Sequence, residues 1–335
     1  MSVEVTRSKR LVSIVCPAFN EAQDIDELYA RLRTVIEAHS SYSFEIIVID
    51  NASTDGTQEK LRMIAKEDRD FRVIVNSRNF GHIRSPYHAM LQAQGDAVII
   101  LASDLQDPPE LISAFLEEWE RGYKVVMAVK TGSEEGSVFA WMRGSYYRTL
   151  NMISDVRLTN DATGFGLYDR EVIEHIRRTG DPYPYWRGIV SELGYPISMI
   201  PFHKPGRRRG ISKNNFYTLY DIAMLGMVSH SKVPLRIASF IGFTLGFLSL
   251  CAAMIFLMLK LMFWDQFPMG IAPLTIGLFF MFGMLFCFIG ILGEYIASIH
   301  MYLQKRPVVV ESERINFTPS RDPAANPAPD QSRAA

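Results

Sequence analysis

Two neighbouring stretches, LVSIVCPAFNEAQDIDELYARLRTVIEA (11–38) and FEIIVIDNASTDGT (44–57), decide the fold. LVSIVCPAF is an almost unbroken apolar run ending in a proline turn, which is how a strand covered on both faces reads. Ile25, Leu28, Leu32, Val35 and Ile36 then recur at helical spacing between Glu21 and Ala38. FEIIVIDN repeats the buried-strand pattern, and STDGT turns the chain into a second helix. A strand, a helix and a further apolar strand in this order predict a parallel pair joined by a right-handed crossover.

The alternation continues outward. FRVIVNS, DAVIILASD and YKVVMAVK read as the third, fourth and fifth strands, with helices over SPYHAMLQA and PPELISAFLEEWERG between them. The resulting βαβα series predicts an α/β domain with a mostly parallel, Rossmann-like sheet. In such sheets ligands sit beyond the carboxyl ends of the strands. Polar clusters fall at four of those ends: Asn20/Glu21, Asp50/Asn51, Asn76 to Asn79, and Asp104 to Asp107. No GxGxxG follows the first strand and no GxxxxGK[ST] occurs, so a dinucleotide oxidoreductase and a P-loop enzyme are disfavoured.

The near balance of 35 basic and 36 acidic residues argues against nucleic-acid binding. A hydrophobic content of 48% is enough for a core, which excludes a wholly disordered chain. The three cysteines, Cys16, Cys251 and Cys287, sit in apolar segments without CxxC or Cys/His spacing. They form neither a disulfide framework nor a zinc site and read as small hydrophobes in a reducing compartment. The polar start MSVEVTRSKR lacks the apolar core of a signal peptide. His82, His88 and His175 form no HxxxH pair and read as structural.

A mean hydropathy of +0.05 conceals two populations. Ile237 to Leu259 carries no charge, and at ~1.5 Å per residue its length of about 34 Å exceeds a ~30 Å hydrocarbon core. A second uncharged stretch runs from about Phe267 to Gly293. Lys232 and Arg236 precede the first span, and Lys305 and Arg306 follow the second. The positive-inside rule therefore predicts a multi-pass inner-membrane protein with its amino-terminal domain and both termini cytoplasmic. The expected organisation is a domain over 1–206, a phosphate-binding and juxtamembrane segment over 207–236, and two transmembrane helices over 237–306. The Pro- and Ala-rich segment 307–335 is expected to be a disordered tail.

The fourth strand ends in Ser103-Asp104-Leu105-Gln106-Asp107-Pro108-Pro109. A carboxylate with an amide oxygen two residues on can share one hard cation with a diphosphate. PAFNE (17–21), IDNASTDGT (49–57), RNFGH (78–82), DLQDPPE (104–110) and the RxxGxSK-like Arg207-Arg208-Arg209-Gly210-Ile211-Ser212-Lys213 occur in that order. With the two apolar spans, this ordered set resembles family 2 glycosyltransferases of the GT-A fold. Within that family it is similar to the polyprenyl-phosphate type, represented by dolichol-phosphate-mannose synthase and bactoprenol glucosyltransferase.

The resemblance, over about residues 10 to 306, implies a GT-A domain carrying a carboxy-terminal two-helix transmembrane hairpin. It implies inverting, metal-dependent transfer of a sugar from a nucleotide-sugar donor to polyprenyl phosphate, with a homo-oligomer as a further expectation. Pro17, Phe19, Glu21, Asp50 and Asn79 would then lie at the donor, and Asp104 and Gln106 would hold Mg²⁺ or Mn²⁺. Arg207, Ser212 and Lys213 would bind phosphate. Arg187, in an Arg-Gly pair common in the family, joins them as a candidate. Asp161 aligns with a family carboxylate proposed as general base. Three positions depart from the family pattern: Ala102 and Gly164 replace acids, and Asn51 stands where an aspartate is usual. The alternatives are transfer to another lipid or glycan, and a membrane scaffold that keeps the fold without activity.

Overall fold

The computed structural model describes residues 9–131, 162–181, 186–203, 233–262, 271–303 and 307–317. In chain order the elements are β1 (Leu11–Ala18), α1 (Ile25–Ala38), β2 (Ser43–Asp50), α2 (Thr57–Glu67), β3 (Phe71–Asn76), α3 (Gly81–Gln92), β4 (Ala97–Ile100) and α4 (Leu111–Glu120). There follow β5 (Val125–Lys130), β6 (Ala162–Asp169), α5 (Arg170–Thr179), α6 (Trp186–Glu192), β7 (Ile197–Phe202), α7 (Val233–Met262), α8 (Ile271–Leu303) and β8 (Glu311–Ile315). These divide into two compact units. The first holds 9–126, 165–173 and 309–317, and the second holds the described residues of 127–164 and 174–308.

In the first unit the strands run in the order β6-β4-β1-β2-β3-β8. β1 pairs in parallel with β2 along its whole length, from Leu11 opposite Ser43 to Ala18 opposite Asp50. β4 joins the other edge of β1 in parallel, and β3 extends β2 in parallel. β6 and β8 are antiparallel to β4 and β3 respectively. This is the mostly parallel sheet of the GT-A fold. Seven consecutive residues of β2, Phe44 to Asp50, are buried, which explains why the strand reads as a continuous apolar run and not as an alternating one. Ile25, Leu28, Leu32 and Val35 form the buried stripe of α1, as their spacing predicts. At Gly95 a Cβ would lie 2.7 Å from Ser13 N and 2.8 Å from Ala97 O, so only glycine lets the chain enter β4 this close to β1.

The expectation of a disordered tail from 307 is corrected at its start. Residues 311–315 form β8, antiparallel to β3 from Ile315 opposite Val73 to Glu311 opposite Asn76, with a register shift between Val75 and Asn76. The strand is held by its polar side chains more than by apolar burial. Arg62 donates twice to Glu313, His88 meets Glu311 at 2.6 Å, and Ser312 Oγ donates to Val75 O at 3.1 Å. Asn316, in a left-handed conformation, donates from Nδ2 to the carbonyls of Ala65, Asp68 and Phe71. Residues 318–335 lie outside the described part of the chain.

In the second unit, Thr131 N–H at the end of β5 donates to Phe202 O at the end of β7 (2.9 Å). The helices α7 and α8 are 30 and 33 residues long. α8 runs beyond the apolar stretch to Leu303. Gly242 of α7 faces the Phe288 ring of α8. Phe280–His300 within α8, with mean hydropathy 1.9, is long and apolar enough to cross a membrane by length and composition. Large apolar side chains stand exposed along both helices, among them Phe240, Phe243, Leu261, Phe286 and Leu303. Of the expected phosphate-binding and juxtamembrane segment over 207–236, residues 207–232 lie outside the described residues and 233–236 belong to α7.

Candidate active site at the carboxyl ends of β1 to β4

Within the first unit the parallel register brings the ends of β1, β2, β3 and β4 to one edge of the sheet. The β1–α1 and β2–α2 turns are stitched together there. Asn20, at φ +57°, donates its N–H to Ser53 Oγ (2.8 Å) and accepts from Thr54 N–H through Oδ1 (2.9 Å). Glu21 N–H donates to Thr57 Oγ1 (3.0 Å), and Ala22 N–H to Asp55 Oδ2 (3.2 Å). Burial favours a higher pKa for Asp55, yet donation from the Thr57 hydroxyl and from the Ala22 and Thr57 N–H groups outweighs it and holds the carboxyl below its usual range. Pro17, Phe19 and Glu21 are half-buried on this joint.

Asp50 ends β2 with no exposed surface. Its Oδ2 accepts from Ser53 N–H and from Gln58 Nε2, both at 2.9 Å. Its Oδ1 is buried and has no hydrogen-bond partner. A buried carboxylate oxygen without a donor is costly in a folded chain, which makes Oδ1 a candidate acceptor for a ligand N–H or O–H.

Asn51 organises the next turn. Its Nδ2 donates to Asn79 Oδ1 (2.9 Å) and Gly81 O (3.2 Å), while its Oδ1 accepts from Asn76 Nδ2 (2.9 Å) and Phe80 N–H (2.8 Å). Asn79 Oδ1 also accepts from Gly81 N–H at 2.8 Å. An amide donates through its nitrogen and accepts through its oxygen, so the asparagine at 51 has a physical reason: an aspartate would face two oxygens with no proton to offer. Asn79 itself is exposed at the rim of the site.

At the end of β4, Leu105 takes φ +59°, and Gln106 N–H donates to Asp104 Oδ1 at 3.2 Å. Asp107, buried, accepts from Ala102 N–H at 3.2 Å and closes the loop from inside. Asp104 and Gln106 are both half-buried. Their side chains offer only oxygen acceptors for a metal, a donor set that suits a hard divalent ion whose shell is completed by phosphate oxygens and water. Among the described residues no group of three or more His, Cys, Asp or Glu gathers to make an all-protein metal cage. Cys16 is fully buried, and burial, with Asp107 nearby, pushes its thiol upward, in keeping with a packing role.

Seven of the expected residues therefore share one edge of one unit: Pro17, Phe19, Glu21, Asp50, Asn79, Asp104 and Gln106. Arg187 lies in α6 of the second unit. Asp161, Arg207, Ser212 and Lys213 lie outside the described residues. Sequence reading missed Ser53 and Gln58, which fix Asp50. Their only signal was a run of polar residues just beyond a buried strand end.

Residues 13–177 match the model of the glycosyl transferase family 2. The chain is 32% identical over 299 residues to the uncharacterized glycosyltransferase YkcC of Bacillus subtilis (strain 168), covering 89% of this chain and 92% of that protein. It is 30% identical over 308 residues to the bactoprenol glucosyl transferase of Shigella phage SfII, covering 91% of this chain and 99% of that one. Among solved structures, it is similar to the mannosyltransferase PcManGT from Pyrobaculum calidifontis in complex with GDP-Man and Mn²⁺. That similarity has 19% identity and a TM-score of 0.46, and covers 69% of this chain and 65% of that one.

Proposed function

The chain belongs to glycosyl transferase family 2 and is a glycosyltransferase; we propose that it moves a sugar from a nucleotide-sugar donor to polyprenyl phosphate at the cytoplasmic face of a membrane. The observation that carries this reading is the similarity to a protein named bactoprenol glucosyl transferase over 99% of that protein's length. The apolar segment Phe280–His300 supports a membrane setting, and the flanking Lys and Arg residues support a cytoplasmic site with two crossings.

In this reading Asp50 Oδ1 accepts a hydrogen bond from the donor's base, and Pro17, Phe19, Glu21 and Asn79 line the nucleotide pocket. Asp104 and Gln106 would hold Mg²⁺ or Mn²⁺, which when bound supplies Lewis-acid stabilisation of charge on the departing diphosphate. The chain's own groups do the rest. Arg207, Ser212 and Lys213, with Arg187, offset the mutual repulsion of donor and acceptor phosphates, arginine by its fork of donors. The acceptor is a phosphate monoester with a second pKa near ~6, so it arrives largely ionised and nucleophilic at neutral pH. Asp161 then serves to orient the donor or the acceptor, not to remove a proton. One in-line displacement forms the sugar–phosphate bond, breaks the bond to the diphosphate and inverts the anomeric carbon.

The test is to incubate the purified full chain with a panel of nucleotide sugars, undecaprenyl phosphate and Mg²⁺ or Mn²⁺, and to read the lipid extract by mass. The expected product is undecaprenyl phosphate plus one sugar residue. Sugar transfer to a glycan or to another lipid, with undecaprenyl phosphate unchanged, overturns the acceptor assignment.

A further inference from the structure

We propose that Gln58, Arg62 and Glu313 are positioning residues for the nucleotide pocket, and that β8 is the fixed end of a relay that sets the Asp50 carboxylate. The proposal rests on the reading of Asp50 as the group that meets the donor's base. All of its members lie in the first unit.

The relay is a continuous series of hydrogen bonds. Glu313 Oε2 accepts from Arg62 Nε (2.9 Å) and from a second guanidinium nitrogen (2.7 Å). That second nitrogen also donates to Gln58 Oε1 at 3.1 Å. Gln58 Nε2 then donates to Asp50 Oδ2 at 2.9 Å and to Ser53 O at 3.2 Å. The direction of the relay is fixed by chemistry. Arginine has donors and no acceptor, so the glutamine amide must turn its oxygen to Arg62 and its nitrogen to Asp50. Gln58 and Ser53 N–H together occupy Asp50 Oδ2, which leaves the buried Oδ1 for a ligand. Without Arg62 the Gln58 oxygen loses its donor, and the side chain is held only at its nitrogen end, by Asp50 and Ser53 O, so its placement against the carboxylate loosens.

The far end is anchored independently of the site. Asn316 ties β8 to three carbonyls at the end of α2 and the start of β3, and Glu311 ties it to His88 of α3. Arg62 and Glu313 are roughly 40% exposed by side chain. An ion pair so exposed contributes little to overall stability. Its consequence is the orientation of Gln58, at the pocket. The segment that follows α8 thereby takes part in donor binding although it is far away in sequence.

The experiment measures binding of UDP and GDP to the full chain by titration calorimetry, and donor kcat and KM, for the wild type and four variants. The tighter nucleotide is used throughout. Arg62→Met is expected to weaken nucleotide affinity about tenfold, equivalent to ~1.4 kcal/mol, and to raise donor KM while leaving kcat within about twofold. Arg62→Lys, which still donates, restores most of the affinity. Asp50→Asn weakens binding by at least as much as Arg62→Met, and in that background Arg62→Met has no further effect, because both act through one carboxylate. The thermal midpoint of Arg62→Met stays close to the wild type. The relay is overturned if Asp50→Asn weakens binding while Arg62→Met does not, or if the two effects add in the double variant. Unchanged affinity in Asp50→Asn overturns the nucleotide-pocket reading itself, and the relay with it.

Discussion

At the scale of single residues, the site turns on what each polar group can donate or accept. On the loop after β4, Gln106 N–H donates to Asp104 Oδ1, and the two side chains are the ones proposed to hold a divalent ion. Asp104→Ala is predicted to lower kcat/KM by about 100-fold or more, since electrostatic stabilisation of the leaving group is among the largest contributions in transfer chemistry. It should also abolish the Mg²⁺ or Mn²⁺ dependence of nucleotide binding, read by calorimetry with and without the ion. Asn51 gives the reverse case, a substitution toward the family's usual residue. Asn51→Asp removes the donors that meet Asn79 Oδ1 and Gly81 O, leaving a carboxylate against two oxygens. A loss of roughly 1–3 kcal/mol of stability follows, measured by denaturant unfolding in detergent. Gly164 has a similar explanation: at φ +87° it stands in backbone that an acidic side chain adopts only under strain. Of the three departures from the family pattern, two thus have conformational or hydrogen-bonding reasons that the sequence alone does not display. Nothing in the structure explains Ala102.

At the scale of elements, legibility follows burial. β1, β2 and α1 could be read because both faces of each strand and one stripe of the helix are buried, which leaves a strong apolar pattern. α3 was less legible. Its spacing suggests a start at Ser85, yet the helix begins at Gly81, because Asn79 and the glycine shape the turn at its amino end. β8 was hidden altogether. It is five residues long, polar on most positions, and followed by a proline- and alanine-rich segment, and its partners lie more than 200 residues away. Its attachment predicts a pH response. Burial favours a higher pKa for Glu311, but hydrogen bonds from His88 and Arg314 outweigh it and bring the carboxyl from 4.5 to about 2. A group depressed on folding stabilises the folded state fully above its unfolded pKa and loses that contribution as it protonates. The docking of β8 should therefore weaken as pH falls from about 4.5 toward 2. Amide protection of 311–315, corrected for the intrinsic pH dependence of exchange, reads this directly. Protection constant across that window contradicts it. Gly95→Ala tests the packing at the start of β4. The added methyl meets the Ser13 and Ala97 backbones, and a cost of about 1–3 kcal/mol is expected from overpacking.

At the scale of the whole molecule, a family 2 domain continues into two long apolar helices and then returns to its own sheet through β8. The return is what the sequence concealed most completely, since the residues after the second apolar stretch read as a tail. The apolar surface of α8 makes a separate prediction. Phe286 lies within Phe280–His300 and is 67% exposed. If that surface faces lipid, Phe286→Lys places a charge inside the span at a cost of up to ~3 kcal/mol, and the fraction resisting alkaline extraction from membranes should drop. An unchanged fraction contradicts a spanning role for α8. The sharpest test of the whole account is a single-turnover comparison of the wild type with Asp104→Ala, using undecaprenyl phosphate in lipid nanodiscs and the cognate nucleotide sugar. The account predicts that wild-type nucleotide release and glycosylated lipid appear together in equal amounts, and that both slow by about 100-fold in the variant. Nucleotide released without glycosylated lipid, or lipid product formed equally fast by Asp104→Ala, contradicts it.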